Sequence, residues 1–112
     1  MSQITSHILD TTRGKPAPGV AVVLCAQQAD SWPELARGTT NADGRVADLL
    51  PPDQQLPPGI YKLTFHTQPY FDQQGTAAFY PFVEIVFAVG TSEHYHVPLL
   101  LNPFGYSTYR GS

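Results

Sequence analysis

Apolar and polar residues alternate most regularly in the middle of the chain, over residues 60–67. Tyr61, Leu63 and Phe65 occupy one set of alternate positions, and Lys62, Thr64 and His66 occupy the other. Successive side chains of a β-strand point to opposite faces. The pattern therefore predicts a strand that is buried on one face and open on the other.

Further strands are predicted where short apolar runs are bounded by turn residues: 4–9, 20–27, 32–40, 46–50, 83–89, 95–101 and 106–110. Both faces of 20–27 are apolar, which is typical of a central strand. Pro33 weakens the 32–40 strand, and Pro98 interrupts the 95–101 strand. Proline cannot donate to a ladder, so we expect Pro98 at an edge or a bulge. Residues 69–80 do not alternate and could contain one short helix.

Turn residues divide the chain into short elements. Eleven prolines and nine glycines are spread along it, and Asn41-Ala42-Asp43-Gly44 is a strong turn signal because Asn and Asp bond their own backbone. Seven or eight short strands with one possible helix indicate an all-β antiparallel sandwich. The length of 112 residues fits one domain spanning residues 1–112.

Charge and cysteine content restrict the classes of partner and compartment. Charged residues make up only 13% of the chain, about half the usual share, so we expect part of the surface to be covered by another copy. A net charge of −3 with six Lys and Arg excludes a basic patch for nucleic acid. One cysteine, Cys25, and the lack of a signal-like or membrane-spanning segment predict a cytoplasmic protein with no membrane partner.

The four histidines are the first candidates for chemistry. His94 and His96 fall on the same face of a strand, and with His7 they could bind zinc, although no Cys or carboxylate nearby completes such a site. The alternative is acid–base chemistry by His7 and His96, because imidazole titrates near neutral pH. We interpret His94 and His66 as solvated surface residues.

Other candidates are weaker when taken from local pattern alone. Arg45 follows a turn and would ordinarily be a charged residue at a strand start. Arg110 lies near the end of the sequence, where chains usually fray, but the alternation before it indicates an ordered strand. Cys25 lies in the most apolar run, which is typical of an inert buried cysteine. No nucleophile elbow or phosphate-binding glycine loop occurs.

Three stretches together resemble the 5-hydroxyisourate hydrolases, the transthyretin-related proteins. They are Ser6-His7-Ile8-Leu9-Asp10 with Gly14-Lys15-Pro16-Ala17, then Thr40-Asn41-Ala42-Asp43-Gly44-Arg45, then residues 94–101 with 103–112, which end in Tyr109-Arg110-Gly111-Ser112. The third stretch is the most specific. Transthyretin, a hormone carrier, is similar in layout but lacks the terminal Tyr-Arg-Gly-Ser and the histidine and arginine set, so the resemblance favours the enzyme.

The resemblance implies a fold, an activity and an assembly. The fold is a transthyretin-like sandwich of two four-stranded sheets with one short helix. The activity is hydrolysis of the cyclic amide bond of 5-hydroxyisourate to 2-oxo-4-hydroxy-4-carboxy-5-ureidoimidazoline in urate degradation. The assembly is a homotetramer, a dimer of dimers, with its sites where the dimers meet. No metal or organic cofactor is implied.

The resemblance also implies the site residues. His7 and His96 would activate water and relay protons, in roles that the sequence does not separate. Arg45 would hold the substrate ring with its planar guanidinium, and Tyr109 would contact the ring or wall the cleft. Arg110 would stabilise the oxyanion or lock the tail, and the carboxylate of Ser112 would orient a histidine. The alternatives are a ligand carrier of the transthyretin type and a zinc module of His7, His94 and His96.

Overall fold

Nine strands and one short helix make up the computed structural model, which describes all residues 1–112. The elements in chain order are β1 Ile4–Asp10, β2 Lys15–Pro16, β3 Ala21–Ala26, β4 Glu34–Thr39, β5 Arg45–Val46, β6 Gly59–His66, α1 Gln68–Gln73, β7 Val83–Val89, β8 Tyr95–Asn102 and β9 Gly105–Thr108. The predicted strands therefore form, several of them shorter than expected, except that over residues 46–50. The helix occupies only the first part of 69–80.

The strands form two sheets. The β1–β8 sheet has the order β2-β1-β8-β9, and β5 pairs with β1 on the same edge as β2; the β3–β6 sheet has the order β4-β3-β6-β7. All pairs are antiparallel except β1 with β8, which run parallel. The expected sandwich is confirmed, but the first sheet gains a fifth, two-residue strand and is not wholly antiparallel.

A single core of 22 buried residues fills the space between the sheets. The alternation over β6 is confirmed, since Leu63 and Phe65 are fully buried and pair with Leu24 and Val22 of β3. Each such side chain contributes about 1.5–3 kcal/mol when it is removed from water. The opposite faces of both sheets remain outside this core, and we call them the outer faces.

Pro98 does not lie at an edge or a bulge, so that prediction is wrong. It pairs with His7 in the continuous β1–β8 ladder, in a strand flanked on both sides. Proline is tolerated there because the pairing of β8 with β9 is interrupted beside it. The ladder ends at the pair Leu99–Thr108, and the next pair is His96–Gly111. The missing N–H falls in that gap, where the Thr108 hydroxyl donates to the Pro98 carbonyl at 2.7 Å.

The strand predicted over residues 46–50 is also wrong beyond its first residue. Only Arg45–Val46 pairs, with β1. Leu49 and Leu50 are buried without being part of a strand. The backbone N–H of Leu50 donates to the buried Ser2 hydroxyl at 3.0 Å, which replaces a ladder hydrogen bond there. The apolar run was therefore a signal of burial, and short runs cannot distinguish strand from buried loop.

The short helix closes one end of the sandwich beside β1. Pro69 lies in its first turn, where a missing N–H costs nothing. Its buried Tyr70 donates a hydrogen bond from the hydroxyl to Oδ2 of the buried Asp10 at 2.7 Å. This contact fixes the far end of β1. No helix of the chain has the length and apolar character needed to cross a membrane.

Candidate active site

The parallel pairing of β1 with β8 brings the two candidate histidines to one outer face. Thr5 lies opposite His96, and His7 lies opposite Pro98, two positions further along the ladder. Side chains two residues apart in a strand share a face, so Thr5, His7 and His96 project from the same side of the β1–β8 sheet. Residues 91 positions apart in sequence are thus neighbours.

The turn over residues 41–44 places Arg45 against His7. The side-chain oxygen of Asn41 accepts from the backbone N–H groups of Asp43 at 2.9 Å and Arg45 at 3.0 Å. Gly44 has a φ of +73°, and a Cβ there would lie 2.6 Å from the carbonyl oxygen of Ile8. Glycine therefore permits the close approach to β1 that pairs Arg45 with His7 in the ladder.

A cleft of about 270 Å³ opens on this outer face. It is lined by Met1, Thr5, Ser6, Arg45, Val46, Ala47, His94, His96 and Ser112. Three of the predicted site residues, Arg45, His96 and Ser112, thus meet at one cavity. His7 is half-buried beside it, opposite Arg45 in the ladder.

The electrostatic environment keeps both histidines neutral at lower pH than usual. The pKa of His96 is lowered first by burial and then by the positive charges of Arg45, His94 and His7. The pKa of His7 is lowered by burial and by Arg45, while Asp43 acts in the opposite direction. A neutral imidazole has a lone pair that can accept a proton from water, so the site favours bases at neutral pH.

The C-terminal segment is ordered and packs against His96. The backbone N–H of Gly111 donates to the carbonyl of His96 at 2.9 Å. A Cβ at position 111 would lie 2.6 Å from Cδ2 of the His96 ring, so only glycine fits against the imidazole. The prediction of an ordered tail is confirmed, although β9 ends at Thr108 and one bridge at Gly111 continues the pairing.

Arg110 and Tyr109 do not line the cleft. The guanidinium of Arg110 lies 2.7 Å from Oε1 of Glu93 and 4.5 Å from the centre of the Tyr95 ring. These contacts hold the tail, which favours the tail-locking alternative for Arg110 in this chain. Tyr109 is exposed near the end of β9. The catalytic role of Arg110 and the substrate contact of Tyr109 stay predictions.

Sequence reasoning missed Thr5. Its hydroxyl oxygen lies 2.8 Å from Nε2 of His94 and 2.8 Å from Nδ1 of His96. Its local sequence does not distinguish Thr5, but positions 5 and 7 share a face of β1, and this was a usable signal. His94, interpreted as solvated, is exposed but is linked to the site through this hydroxyl.

The remaining candidates lie outside the cleft. His66 is exposed at the end of β6, and Cys25 is buried on the β3–β6 sheet, where burial raises the pKa of its thiol. Their locations, at the surface and in the interior respectively, are those expected from the sequence. No three His, Cys, Asp or Glu side chains are arranged to hold a metal ion, so the geometry does not support the zinc module of His7, His94 and His96.

Comparison with known proteins shows which family the chain belongs to. The HIUase/Transthyretin family model matches residues 4–111. The chain belongs to this family. It is 46% identical to the mouse 5-hydroxyisourate hydrolase, over 99% of this chain and 96% of the mouse protein.

Two solved structures show that the fold alone does not separate the activities within the family. A 5-hydroxyisourate hydrolase from Klebsiella pneumoniae superposes with a TM-score of 0.86 at 39% identity, covering 97% of this chain and 98% of that one. A sea bream transthyretin in complex with thyroxine superposes with a TM-score of 0.91 at 35% identity, covering 98% and 95%. Function must therefore be argued from site residues.

Proposed function

We propose that this protein hydrolyses the cyclic amide bond of 5-hydroxyisourate to 2-oxo-4-hydroxy-4-carboxy-5-ureidoimidazoline in urate degradation. The observation that carries the proposal is that Arg45 and His96, from two separate strands, meet at one cleft, with His7 beside it opposite Arg45 in the ladder. Full-length relatives near 46% identity that bear this activity in their names support the same conclusion.

Arg45 is the substrate-holding residue of the proposal. It is exposed at the cleft, and its planar guanidinium can bond two adjacent carbonyl oxygens of a flat ring at once. Its charge also lowers the pKa of both histidines. One residue thus binds the ring and adds to the effect of burial, which is the larger cause of the lowered pKa of each histidine.

Hydrolysis requires a water molecule to lose a proton as it attacks the ring carbonyl. One neutral imidazole, of His7 or His96, takes that proton, and the resulting tetrahedral oxyanion lies near the positive charge of Arg45. The ring C–N bond then breaks, and the proton passes to the leaving nitrogen. The products are a carboxylic acid, which ionises at neutral pH, and an opened ring.

The C-terminal residues contribute to the walls of the site in this proposal. Ser112 lines the cleft, and the expected role of its carboxylate in orienting a histidine stays a prediction. Gly111 packs against the imidazole of His96. Arg110 contributes by anchoring this segment to Glu93, and a direct contact with the oxyanion would require that ion pair to open.

We also propose that the protein works as a homotetramer, a dimer of dimers. The edge strands β7 and β9 lie on the same side of the sandwich, since residues 85–88 and 108–110 border one groove. Large exposed side chains cluster beside these edges: Phe79, Tyr80, Phe82, Val86, Phe104 and Tyr106. Unpaired edges and exposed aromatic rings are both covered when two copies pair edge to edge.

The second interface of the proposed tetramer lies over the β1–β8 outer face. The cleft there is open to one side, and the half-buried Leu9 and Leu100 lie further along the same ladder. A facing dimer would close the cleft and exclude water, which strengthens every electrostatic contact inside it. Light scattering with size-exclusion chromatography should give four times the mass of 12.3 kDa.

The activity is tested by generating 5-hydroxyisourate in situ with urate oxidase and following its ultraviolet decay. We expect faster decay with the protein than without it, and the same rate with a chelator present. Decay at the rate of the protein-free control would contradict the proposal. Tight binding of an aromatic ligand without turnover would instead indicate a carrier.

A further inference from the structure

The hydroxyl of Thr5 lies between the imidazoles of His94 and His96, at 2.8 Å from one nitrogen of each. Thr5 is buried, with 7% of its surface exposed, and its hydroxyl has no other hydrogen-bond partner in the chain. The two rings lie nearly parallel, with centroids 6.3 Å apart and an angle of 25° between their planes. The hydrogen bonds of this buried hydroxyl therefore restrict which ring nitrogens of His94 and His96 carry a hydrogen.

The number of protons available determines which arrangements are allowed. A threonine hydroxyl has one hydrogen and accepts through its lone pairs, whereas a neutral imidazole has one N–H and one bare nitrogen. The hydroxyl can therefore donate to only one of the two rings. If it donates to Nε2 of His94, then Nδ1 of His96 must carry a hydrogen and donate to the hydroxyl. The remaining nitrogen of His96, Nε2, is then bare.

The surroundings of the cleft favour this arrangement over its reverse. Arg45 lines the same cleft as His96, and a guanidinium has only donors. Nδ1 of His96 is engaged by Thr5, so Nε2 is its remaining nitrogen. Beside the positive charge of Arg45 a bare Nε2 is favoured over an N–H, with the Ser112 carboxylate left to accept from groups other than His96. His94 is exposed, so its free nitrogen can bond to water in either tautomer and imposes no opposing preference.

We propose that Thr5 is a positioning residue that selects the tautomer of His96, by accepting from Nδ1–H of His96 and donating to Nε2 of His94. The inference rests on the proposed function, since it supplies His96 with the bare Nε2 that a general base needs. A partner that fixes the tautomer and orientation of a catalytic histidine is a recurrent element of hydrolytic sites. Thr5 performs this role with a neutral hydroxyl.

The direct test combines imidazole ¹⁵N spectra with kinetics. In protein labelled with ¹⁵N-histidine, a His96→Asn spectrum assigns the His96 nitrogens. At pH 8 we expect Nδ1 of His96 to be protonated and Nε2 to be bare. Thr5→Val keeps the side-chain shape and removes the hydroxyl. It should give a mixture of tautomers and lower kcat about tenfold, the scale of one hydrogen bond, with KM within about twofold.

Matched variants separate positioning from packing. Thr5→Ser keeps the hydroxyl and should restore both the tautomer and most of kcat. Thr64→Val removes a hydroxyl from the opposite sheet and should change neither. His94→Ala removes the acceptor of the Thr5 hydroxyl at an exposed position, where the fold should be undisturbed. It should mix the His96 tautomers, but it should lower kcat less than Thr5→Val does, because the hydroxyl itself remains.

Three results would overturn the inference: a protonated Nε2 on His96 of the unaltered protein, unchanged tautomer and kcat in Thr5→Val, or a Thr5→Ser protein as impaired as Thr5→Val. The spectra require no substrate. A protein that fails to hydrolyse 5-hydroxyisourate would therefore contradict the proposed function separately, while the tautomer of His96 would still be decided.

Discussion

The outer faces of the two sheets both carry titratable side chains, but their charges are arranged differently. On the β3–β6 sheet, Nζ of Lys62 lies 3.1 Å from Oε2 of Glu84 and 4.6 Å from the centre of the Trp32 ring. On the β1–β8 sheet, Arg45 and His96 line a cleft to which no aspartate or glutamate contributes. One face pairs its charges, and the other gathers positive and titratable groups at a cleft where the carboxylate of Ser112 is the one negative group.

The two environments explain why one histidine is a candidate base and another is not. His96 is half-buried among positive groups, which lowers its pKa. His66 is exposed on the face where charges are paired. Perturbed groups without a compensating partner concentrate at functional sites, because structure alone gives no reason to keep them. The contrast between the faces, more than the residue type, identifies the site.

The largest expected effect comes from removing a histidine on each face. His7→Asn and His96→Asn should lower kcat about 100-fold or more, the usual scale for a lost general base, whereas His66→Asn should leave it unchanged. The ultraviolet decay of 5-hydroxyisourate measures the rate, and circular dichroism checks the fold. Equal activity in all three variants would end the functional distinction between the faces.

Replacing an arginine on each face should have the next largest effect. Arg45→Lys keeps the charge but loses the planar fork, so KM should rise between about 10- and 100-fold. Arg45→Gln should add a shift of the acid limb of kcat toward higher pH, because its charge lowers the pKa of both histidines. Arg37→Gln, which removes an exposed pair with Glu34, is the control. An unchanged KM in Arg45→Lys would exclude a bidentate contact.

A single methyl group at the tail gives a smaller and more local effect. Gly111→Ala places a Cβ 2.6 Å from the His96 ring, so the imidazole must move and kcat should fall about tenfold, since small misplacements of reacting groups are costly. Gly90→Ala is the matched control, because nothing lies within 4 Å of its Cβ. If Gly111→Ala retained full kcat, the position of His96 would not depend on the tail.

The smallest expected effect is on stability as a function of pH. Because the pKa values of His7 and His96 are lowered from 6.5, the unfolded chain binds protons that the folded chain does not once the pH falls below about 6.5. The free energy of unfolding should therefore fall from pH 7 toward the folded-state pKa values and then level off. Urea unfolding at one fixed protein concentration measures it.

Variants distinguish the pH range in which the histidines affect stability from the range in which the carboxylates do. His7→Asn and His96→Asn should each flatten the slope between pH 7 and 5, and His66→Asn should not. Glu34 and Glu93, whose pKa values are lowered from 4.5 by their arginine partners, act only at lower pH. A slope that persisted in the His7→Asn, His96→Asn double variant would place its origin elsewhere.

Much of the fold could be predicted from local pattern. The alternation over β6 and β7 requires no knowledge of neighbours, because a strand with one buried face repeats every two residues. The pattern failed where tertiary contacts decide. Leu49 and Leu50 are buried in a loop, and Pro98 is tolerated in a central strand because its missing N–H faces a gap in the next ladder. Neither context is visible from adjacent residues.

The candidate site could likewise be predicted only in part. The resemblance identified His7, Arg45, His96 and Ser112, and the structure gathers them at or beside one cleft. It could not foresee that Arg110 is engaged by Glu93, or that Thr5 lies between two imidazoles. The position of Thr5 follows from the register of the β1–β8 ladder, and that of Arg110 from the bridge between His96 and Gly111. Such pairings are fixed only when both segments are in place.

The parallel pairing of β1 with β8 also governs when the site can exist during synthesis. Thr5 and His96 are 91 residues apart, so a ribosome that adds 5–20 residues per second makes the second partner about 5 to 20 s after the first. Until then the N-terminal strand has no β8 to pair with. Contacts between such distant positions also slow folding, because a long loop must close first. A nascent chain therefore remains inactive until β8 has emerged and can pair with β1.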